Sequence, residues 1–94
     1  MTRETFEAIL TAIKNKKHTA YNRTIHIVTK TVMGNGCYST GQQTLDVGCE
    51  SIEMESGYIK FHTKVVNTGI CEYDADVYLP YENIAFVFDG KTIK

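Results

Sequence analysis

Residues 52–79 read IEMESGYIKFHTKVVNTGICEYDADVYL, and apolar and polar side chains alternate along most of this stretch. Alternation with a period of two residues is typical of β-strands that bury one face and expose the other. Ser56-Gly57 and Asn67-Thr68-Gly69 interrupt the alternation, and small polar residues next to glycine favour tight turns. The stretch therefore predicts three antiparallel strands joined by two hairpins, over about residues 50–55, 58–66 and 71–79.

The side chains also predict which residues of these strands face each other. A two-residue turn at Ser56-Gly57 sets Glu55 opposite Tyr58. Beyond that pair it matches apolar with apolar and acid with base, giving Met54–Ile59, Glu53–Lys60 and Ile52–Phe61. A three-residue turn at residues 67–69 does the same for the second hairpin, giving Ile59–Val77, Lys60–Asp76, Phe61–Ala75, His62–Asp74, Lys64–Glu72 and Val65–Cys71. A slip by one residue would exchange the buried and exposed faces, so the agreement favours these two registers.

The first residues of the chain have the periodicity of a helix. Apolar side chains recur at the spacing of one helix face, namely Phe6, Ile9, Leu10 and Ile13. Thr2 is a suitable N-cap, and a basic run that ends at Lys17 lies where the helix dipole favours cations. The pattern predicts an amphipathic helix over about residues 3–17 that lies on the sheet.

Three more segments have the composition of strands, over about residues 24–33, 42–48 and 84–88. Gly34-Asn35-Gly36 favours a turn between the first two of them. A turn that pairs their apolar residues, Ile25 with Val47 and Ile27 with Leu45, requires a bulge or a three-residue loop. Pro80 interrupts the chain before the last strand, and one short helical turn is expected at residues 81–83.

Together these elements predict a single α+β domain over residues 1–94. Its N-terminal amphipathic helix packs on an antiparallel β-meander of five or six strands, which either stays open or curls into a small barrel. The expected core joins the helix stripe to Ile25, Ile27, Leu45, Ile52, Met54, Ile59, Phe61, Val65, Tyr73 and Val77. The order of elements resembles that of Sm-like and SH3-like barrels in topology alone, since no Sm sequence motif is present.

Composition excludes several classes of protein. With 43% apolar and 22% charged residues, the 94-residue chain has enough apolar material for one core and differs from disordered chains. No apolar run has the length of a membrane span, and the first residues lack the apolar segment of a signal peptide. Cys37, Cys49 and Cys71 are therefore expected to be reduced thiols of a cytoplasmic protein, with Cys49 and Cys71 on strands.

Charge is unevenly distributed along the chain. Residues 1–33 contain six Lys/Arg and two acids, a balance of +4, whereas residues 34–94 contain four Lys and nine acids, a balance of −5. The acids either match bases across the strands or form an acidic face for a basic partner. The acids without an evident match are Glu50, Glu55, Glu82 and Asp89.

Tyr58 and Tyr78 are expected to be neighbours on the outward face of the sheet, beside Lys60. Exposed tyrosines favour protein interfaces because a rigid ring adds contact area at a small entropic penalty. The favoured function is thus a small non-catalytic binding protein, such as an adaptor or an inhibitor of a larger partner of the kind phages and mobile elements encode. Its partner-binding residues are Tyr58, Tyr78, Glu55 and Glu82. Edge strands with few protecting features apart from Pro80 and nearby charges also predict a homo-oligomer, with a homodimer as the default.

The glycine-rich segment 34–41 carries the alternative function, a binding or sequestering site for a small anionic ligand such as a nucleotide. Glycines let backbone N–H groups approach an anion, and nearby hydroxyls and cations add to its binding. The residues of this alternative are Gly34, Asn35, Gly36, Cys37, Ser39, Thr40, Lys16, Lys17 and Arg23. The segment is not a P-loop, since no Gly-Lys-Ser/Thr closes it, and a plain hairpin connection is the competing interpretation.

No catalytic or metal-binding constellation is evident. The histidines at 18, 26 and 62 have no metal-ligand spacing, and His26 has no identifiable partner. His62 opposite Asp74 is explained by strand pairing, and Cys37 lacks a neighbouring base that would activate it. We therefore expect no enzymatic activity, no cofactor, no bound metal, no membrane association and no nucleic-acid partner.

Overall fold

A computed structural model of the chain describes residues 1–16, 24–30, 32–33, 39–40, 42–67 and 71–90. They form helix α1 (Arg3–Lys14) and the strands β1 (Thr24–Thr29), β2 (Val32–Met33), β3 (Ser39–Thr40), β4 (Thr44–Gly48), β5 (Glu53–Met54), β6 (Tyr58–Asn67), β7 (Cys71–Pro80) and β8 (Ile84–Asp89). Two 3₁₀ turns, Cys49–Ser51 and Tyr81–Asn83, precede β5 and β8. The second of these is the helical turn predicted after Pro80.

The strands form two antiparallel sheets, ordered β4-β1-β8 and β5-β6-β7, and β2 and β3 form a separate two-stranded ladder. This arrangement confirms the α+β class. The single meander and the barrel are not confirmed, because β8 pairs with β1 and the described strands close no sheet. The α1 helix has 12 residues, and no helix among the described residues has the length and apolar character needed to cross a membrane.

Helix α1 begins where the sequence indicates and ends earlier. The Thr2 hydroxyl accepts a hydrogen bond from the Thr5 N–H at 3.1 Å, as an N-cap does. The helix ends at Lys14 rather than near residue 17, and Asn15 is its C-cap. Phe6, Leu10 and Ile13 are buried, so the predicted stripe is the packed face.

The pairing of β1 with β4 is the one that the apolar residues predict. Ile25 lies opposite Val47 and Ile27 lies opposite Leu45. The ladder between β2 and β3 continues the same register, with Val32 opposite Thr40. The residues between these two short strands that were expected to form the turn, 34–36, lie outside the described part of the chain.

The two hairpins of the second sheet differ in how well their registers were predicted. Between β5 and β6 the pairs Glu53–Lys60 and Met54–Ile59 are confirmed. Between β6 and β7 the predicted register is wrong by two residues, since His62 lies opposite Asp76 rather than Asp74. Asn67 and Cys71 close this ladder, so the connection comprises residues 68–70. A shift of two residues leaves every side chain on its predicted face.

One core joins α1 to both sheets. Its buried residues are Phe6, Leu10, Ile13, Ile25, Ile27, Leu45, Val47, Cys49, Ile59, Phe61, Leu79, Tyr81 and Ile84. Ile52, Met54, Val65 and Val77 were expected in the core and are partly buried against it. Tyr73 was also expected there, but it is 51% exposed and lies outside the cluster. Cys49 lies in a 3₁₀ turn rather than on a strand, and it is a buried free thiol.

A bulge in β8 sets which of its side chains face inward. Val28 lies opposite Phe86, but the next residue of β1, Thr29, lies opposite Ile84. Ala85 is therefore an extra residue, and an extra residue of this kind reverses the alternation of faces. Ile84 consequently faces the core, whereas Phe86 and Phe88 face outward.

Candidate functional site

The outward face of the β6–β7 hairpin has an aromatic end and a charged end. Its exposed or half-buried side chains are Tyr58, Lys60, His62 and Lys64 on β6, with Glu72, Asp74, Asp76 and Tyr78 on β7. They share one face because each strand exposes every second residue. The hairpin, which is the longest in the described part of the chain, thus supports a continuous polar and aromatic surface.

The aromatic end brings together two side chains that the sequence placed side by side. The rings of Tyr58 and Tyr78 have centroids 6.0 Å apart and are inclined at 57°. Their side chains are 38% and 59% exposed. The Lys60 Nζ lies 5.6 Å from the centroid of the Tyr78 ring, within range of a cation–π interaction. Glu53 lies opposite Lys60 on the other side.

Two acidic residues flank the aromatic end. Glu55 precedes the Ser56-Gly57 turn that leads into Tyr58, and Glu82 belongs to the 3₁₀ turn that follows β7. The Tyr81 N–H donates to the Gly57 carbonyl at 3.4 Å, so the two turns lie against each other. Glu55 and Glu82 are both exposed at this end. The four predicted partner-binding residues therefore belong to one end of the hairpin.

Two hydrogen bonds to the Glu55 carbonyl hold these turns in place. The Tyr81 hydroxyl donates to the Glu55 carbonyl at 2.7 Å, and burial raises the pKa of Tyr81. The Arg3 Nε donates to the same carbonyl at 3.2 Å, which ties the first turn of α1 to the β5–β6 connection. The aromatic end consequently rests on a rigid base rather than on a free loop.

At the charged end, His62 lies between two carboxylates. Its Nδ1 is 2.9 Å from the Asp76 carboxylate and its Nε2 is 2.7 Å from the Asp74 carboxylate. Hydrogen bonds to Asp76 and then Asp74 raise the pKa of His62, and the bond to His62 lowers the pKa of Asp76. Because both ring nitrogens face acceptors, the imidazolium form suits this position.

Two residues expected to lack partners have them. His26 Nδ1 is 2.6 Å from the Asp46 carboxylate across the β1–β4 ladder, and the ring stacks on Phe88 with centroids 4.7 Å apart. Asp89 accepts a hydrogen bond from the Lys16 Nζ at 2.9 Å. Glu50 also takes part in an interaction. Of the four acids, Glu55 and Glu82 are therefore the two whose carboxylates form no ion pair with another described residue.

Most residues of the alternative ligand site lie outside the described part of the chain, namely Lys17, Arg23, Gly34, Asn35, Gly36 and Cys37. Of Ser39 and Thr40 only the backbone is described, as strand β3. Lys16 is the one member with a described side chain, and it pairs with Asp89. The anionic-ligand site therefore stays a prediction.

A groove of about 500 Å³ opens between the two sheets. Its lining is mainly apolar and includes Leu45, Val65, Tyr73, Val77 and Leu79. Among the described residues the lining contains no basic side chain, so the groove offers an anionic ligand no cationic partner. The described residues also contain no group of three or more His, Cys, Asp or Glu placed to hold a metal ion.

A second exposed aromatic pair was missed by the sequence analysis. Phe86 and Phe88 are 48% and 44% exposed, and their ring centroids are 6.1 Å apart. The signal that could have revealed them is the run Ala85-Phe86-Val87-Phe88, in which both alternating sets are apolar. A strand with that composition presents an apolar side chain to each face.

No protein-family model, curated protein or solved structure matches this chain.

Proposed function

We propose that this protein is a small non-catalytic binding module that acts through protein–protein contacts at the aromatic end of the β6–β7 hairpin. In this role it serves as an adaptor for, or an inhibitor of, a larger partner in the cytoplasm. The observation that carries the proposal is the exposed pair Tyr58–Tyr78, whose rings lie 6.0 Å apart on a hydrogen-bonded strand face.

The physical argument rests on exposure combined with rigidity. Rings fixed on paired strands lose little conformational freedom on binding, and tyrosine offers both an apolar surface and a hydroxyl. Tyrosine residues are enriched at the cores of protein interfaces for the same reasons. Tyr58 and Tyr78 are thus suited to anchor a partner, with the surrounding polar side chains at the rim.

The charges around the pair favour a basic partner segment. Glu53, Glu55 and Glu82 are exposed near the aromatic end, whereas Lys60 contacts the Tyr78 ring. Carboxylates at an interface rim accelerate association with a cationic surface and make its rate depend on salt. An arginine-bearing or lysine-bearing segment that stacks on the rings would match both features.

The test is native mass spectrometry of the protein purified gently from its own host, as the unaltered chain and as the double variant Tyr58→Ser/Tyr78→Ser. We expect a second polypeptide in a fixed ratio with the unaltered chain, and its loss from the double variant. Tyr73→Ser is the matched control, since the exposure of Tyr73 lies between those of Tyr58 and Tyr78 and its side chain is on the other face of β7. The control should retain the partner.

Two outcomes would count against the proposal. The first is a partner that stays bound to the double variant, which would place the interface elsewhere. The second is a bound species of a few hundred daltons in place of a polypeptide, which would favour the anionic-ligand alternative. Once a partner is known, Glu55→Lys/Glu82→Lys should lower the association rate about tenfold or more at low salt, and the difference should shrink at high salt.

A further inference from the structure

Strand β8 is apolar on both of its faces although it lies at the edge of a sheet. Val87 faces inward and is partly buried against the core, while Phe86 and Phe88 face outward and are about half exposed. Strands that are apolar on both faces are typical of positions that are covered on both sides. The outward face of β8 thus has the apolar composition of a buried strand face, but no described residue buries Phe86 or Phe88.

The other strand edges have features that prevent pairing with a second molecule. The β7 edge exposes three carboxylates, Glu72, Asp74 and Asp76, two of which share the single His62 ring. Strand β5 has only two residues. The β4 edge lies against β6, where the Thr63 hydroxyl donates to the Asp46 carbonyl at 2.6 Å. Charged side chains and short strands are the usual means of blocking edge-to-edge association.

The β8 edge has a bulge at Ala85, and beyond it the edge has neither of these protections from Phe86 to Phe88. This segment contains no charged residue and no proline. The neighbouring Asp89 is engaged with Lys16 at 2.9 Å, so its charge is already balanced within the chain. Outer-edge backbone groups of an apolar strand of this length form a ready template for another strand.

We propose that β8 pairs antiparallel with β8 of a second copy of this chain, about a two-fold axis at Val87. The register places Val87 opposite Val87 of the second copy and Phe86 opposite Phe88 of the second copy. Apolar side chains then meet on both faces, and the four phenylalanine rings form one cluster. The two β4-β1-β8 sheets join into a continuous six-stranded sheet.

A second copy fits this edge better than the acidic edge of β7 does. Pairing β8 with β7 would bring carboxylates beside Phe86 and Phe88 and bury part of their charge, which is unfavourable. A two-fold pairing of β8 with itself confronts no like charges and closes after two chains. The proposal is independent of the proposed function, because Tyr58 and Tyr78 lie on the other sheet.

The experiment is sedimentation equilibrium of the full chain over a wide concentration range. The unaltered chain should have twice the mass of one chain, and Phe86→Glu/Phe88→Glu should raise the dimer dissociation constant about tenfold or more, since it opposes like charges. Tyr58→Glu/Tyr78→Glu is the matched control. This variant introduces the same two negative charges in place of exposed aromatic residues, but on the β5-β6-β7 sheet, so it should leave the dimer intact.

The charge-swapped variant Phe86→Glu/Phe88→Lys tests the register. In the proposed pairing it sets glutamate opposite lysine twice, so it should dimerise more tightly than the all-glutamate variant, by a margin that falls with added salt. A register with Phe86 opposite Phe86 would give no such rescue. Far-UV circular dichroism would verify that each variant is folded.

Hydrogen exchange supplies a measurement that needs no variant. Backbone amides on the outer edge of β8 should be protected at high concentration and should exchange faster on dilution. The proposal is overturned by a single-chain mass at all concentrations, by an assembly larger than two chains, by an all-glutamate variant that stays dimeric, or by a charge-swapped variant that is no tighter.

Discussion

A single histidine shows how strand pairing sets the chemistry of a side chain. His62 lies directly opposite Asp76 and diagonal to Asp74, and each carboxylate is within hydrogen-bond distance of a different ring nitrogen. The sequence pointed to Asp74 alone, because the two registers differ by two residues and both place a carboxylate beside His62. The contact with Asp74 is present, but as the diagonal neighbour rather than the opposite one.

We expect the titration midpoint of His62 to lie above the ordinary value of about 6.5 and to fall in Asp76→Asn. The cause is the hydrogen bond to Asp76, the largest contribution that raises the pKa of His62. NMR titration of the ring protons measures it. Asp46→Asn is the control, since Asp46 contacts His26 instead. An unchanged midpoint in Asp76→Asn would show that the hydrogen bond does not form in solution.

The direction of the pH dependence follows from the same two shifts. Folding raises the pKa of His62, so this contribution to the free energy of unfolding is complete below about pH 6.5 and disappears as pH rises through the raised pKa. Folding lowers the pKa of Asp76, so its contribution is lost as pH falls through that lower value. The effect is small because the groups are exposed and screened by solvent and salt.

At the scale of elements, the N-cap of α1 was identified from sequence because capping depends on adjacent residues. We expect Thr2→Ala to lower the free energy of unfolding by about 0.5–2 kcal/mol, since the Thr5 N–H loses its acceptor. Urea unfolding measures the change. Thr11→Ala is the control, because Thr11 is exposed within the helix and alanine has the higher helix propensity. If Thr11→Ala lowered the free energy of unfolding as much as Thr2→Ala does, the loss of the N-cap would not explain the effect.

The strand registers separate what local patterns can predict from what they cannot. The β1–β4 register was predicted because Ile25 and Ile27 have few apolar partners within reach. The β6–β7 register was not, because bases and acids recur at every second residue on the two strands. When one strand is shifted by two residues along the other, bases still lie opposite acids. The position of the connecting turn decides between the two registers, and its sequence is compatible with both.

The exposed aromatic pairs show a similar contrast. Tyr58 and Tyr78 were placed together because hairpin pairing is local and a two-residue shift keeps their face. Phe86 and Phe88 were not assigned, because their outward orientation depends on the bulge at Ala85 and on pairing with a strand far away in sequence. Position within a sheet, rather than composition, decides whether such side chains are covered.

At the scale of the whole molecule, the two sheets share one core although they are separate ladders. Pairing of β8 with β1 joins the last described strand to the first, and such a long-range contact has no local signature in the sequence. Residues of α1 and of both sheets pack in the same cluster. We therefore infer that unfolding of either sheet exposes the buried face of the other, so that the two sheets unfold together.

This shared core predicts that a small cavity in either sheet weakens both. Ile27 in β1 and Ile59 in β6 are fully buried, so Ile27→Val and Ile59→Val should each lower the free energy of unfolding by about 0.5–1.5 kcal/mol. Native-state hydrogen exchange should show the same loss for the slowest amides of β1 and β6 in either variant. Ile9→Val, at a partly buried position, should cause a smaller loss. If Ile27→Val lowered protection in β1 alone, the sheets would unfold as separate units.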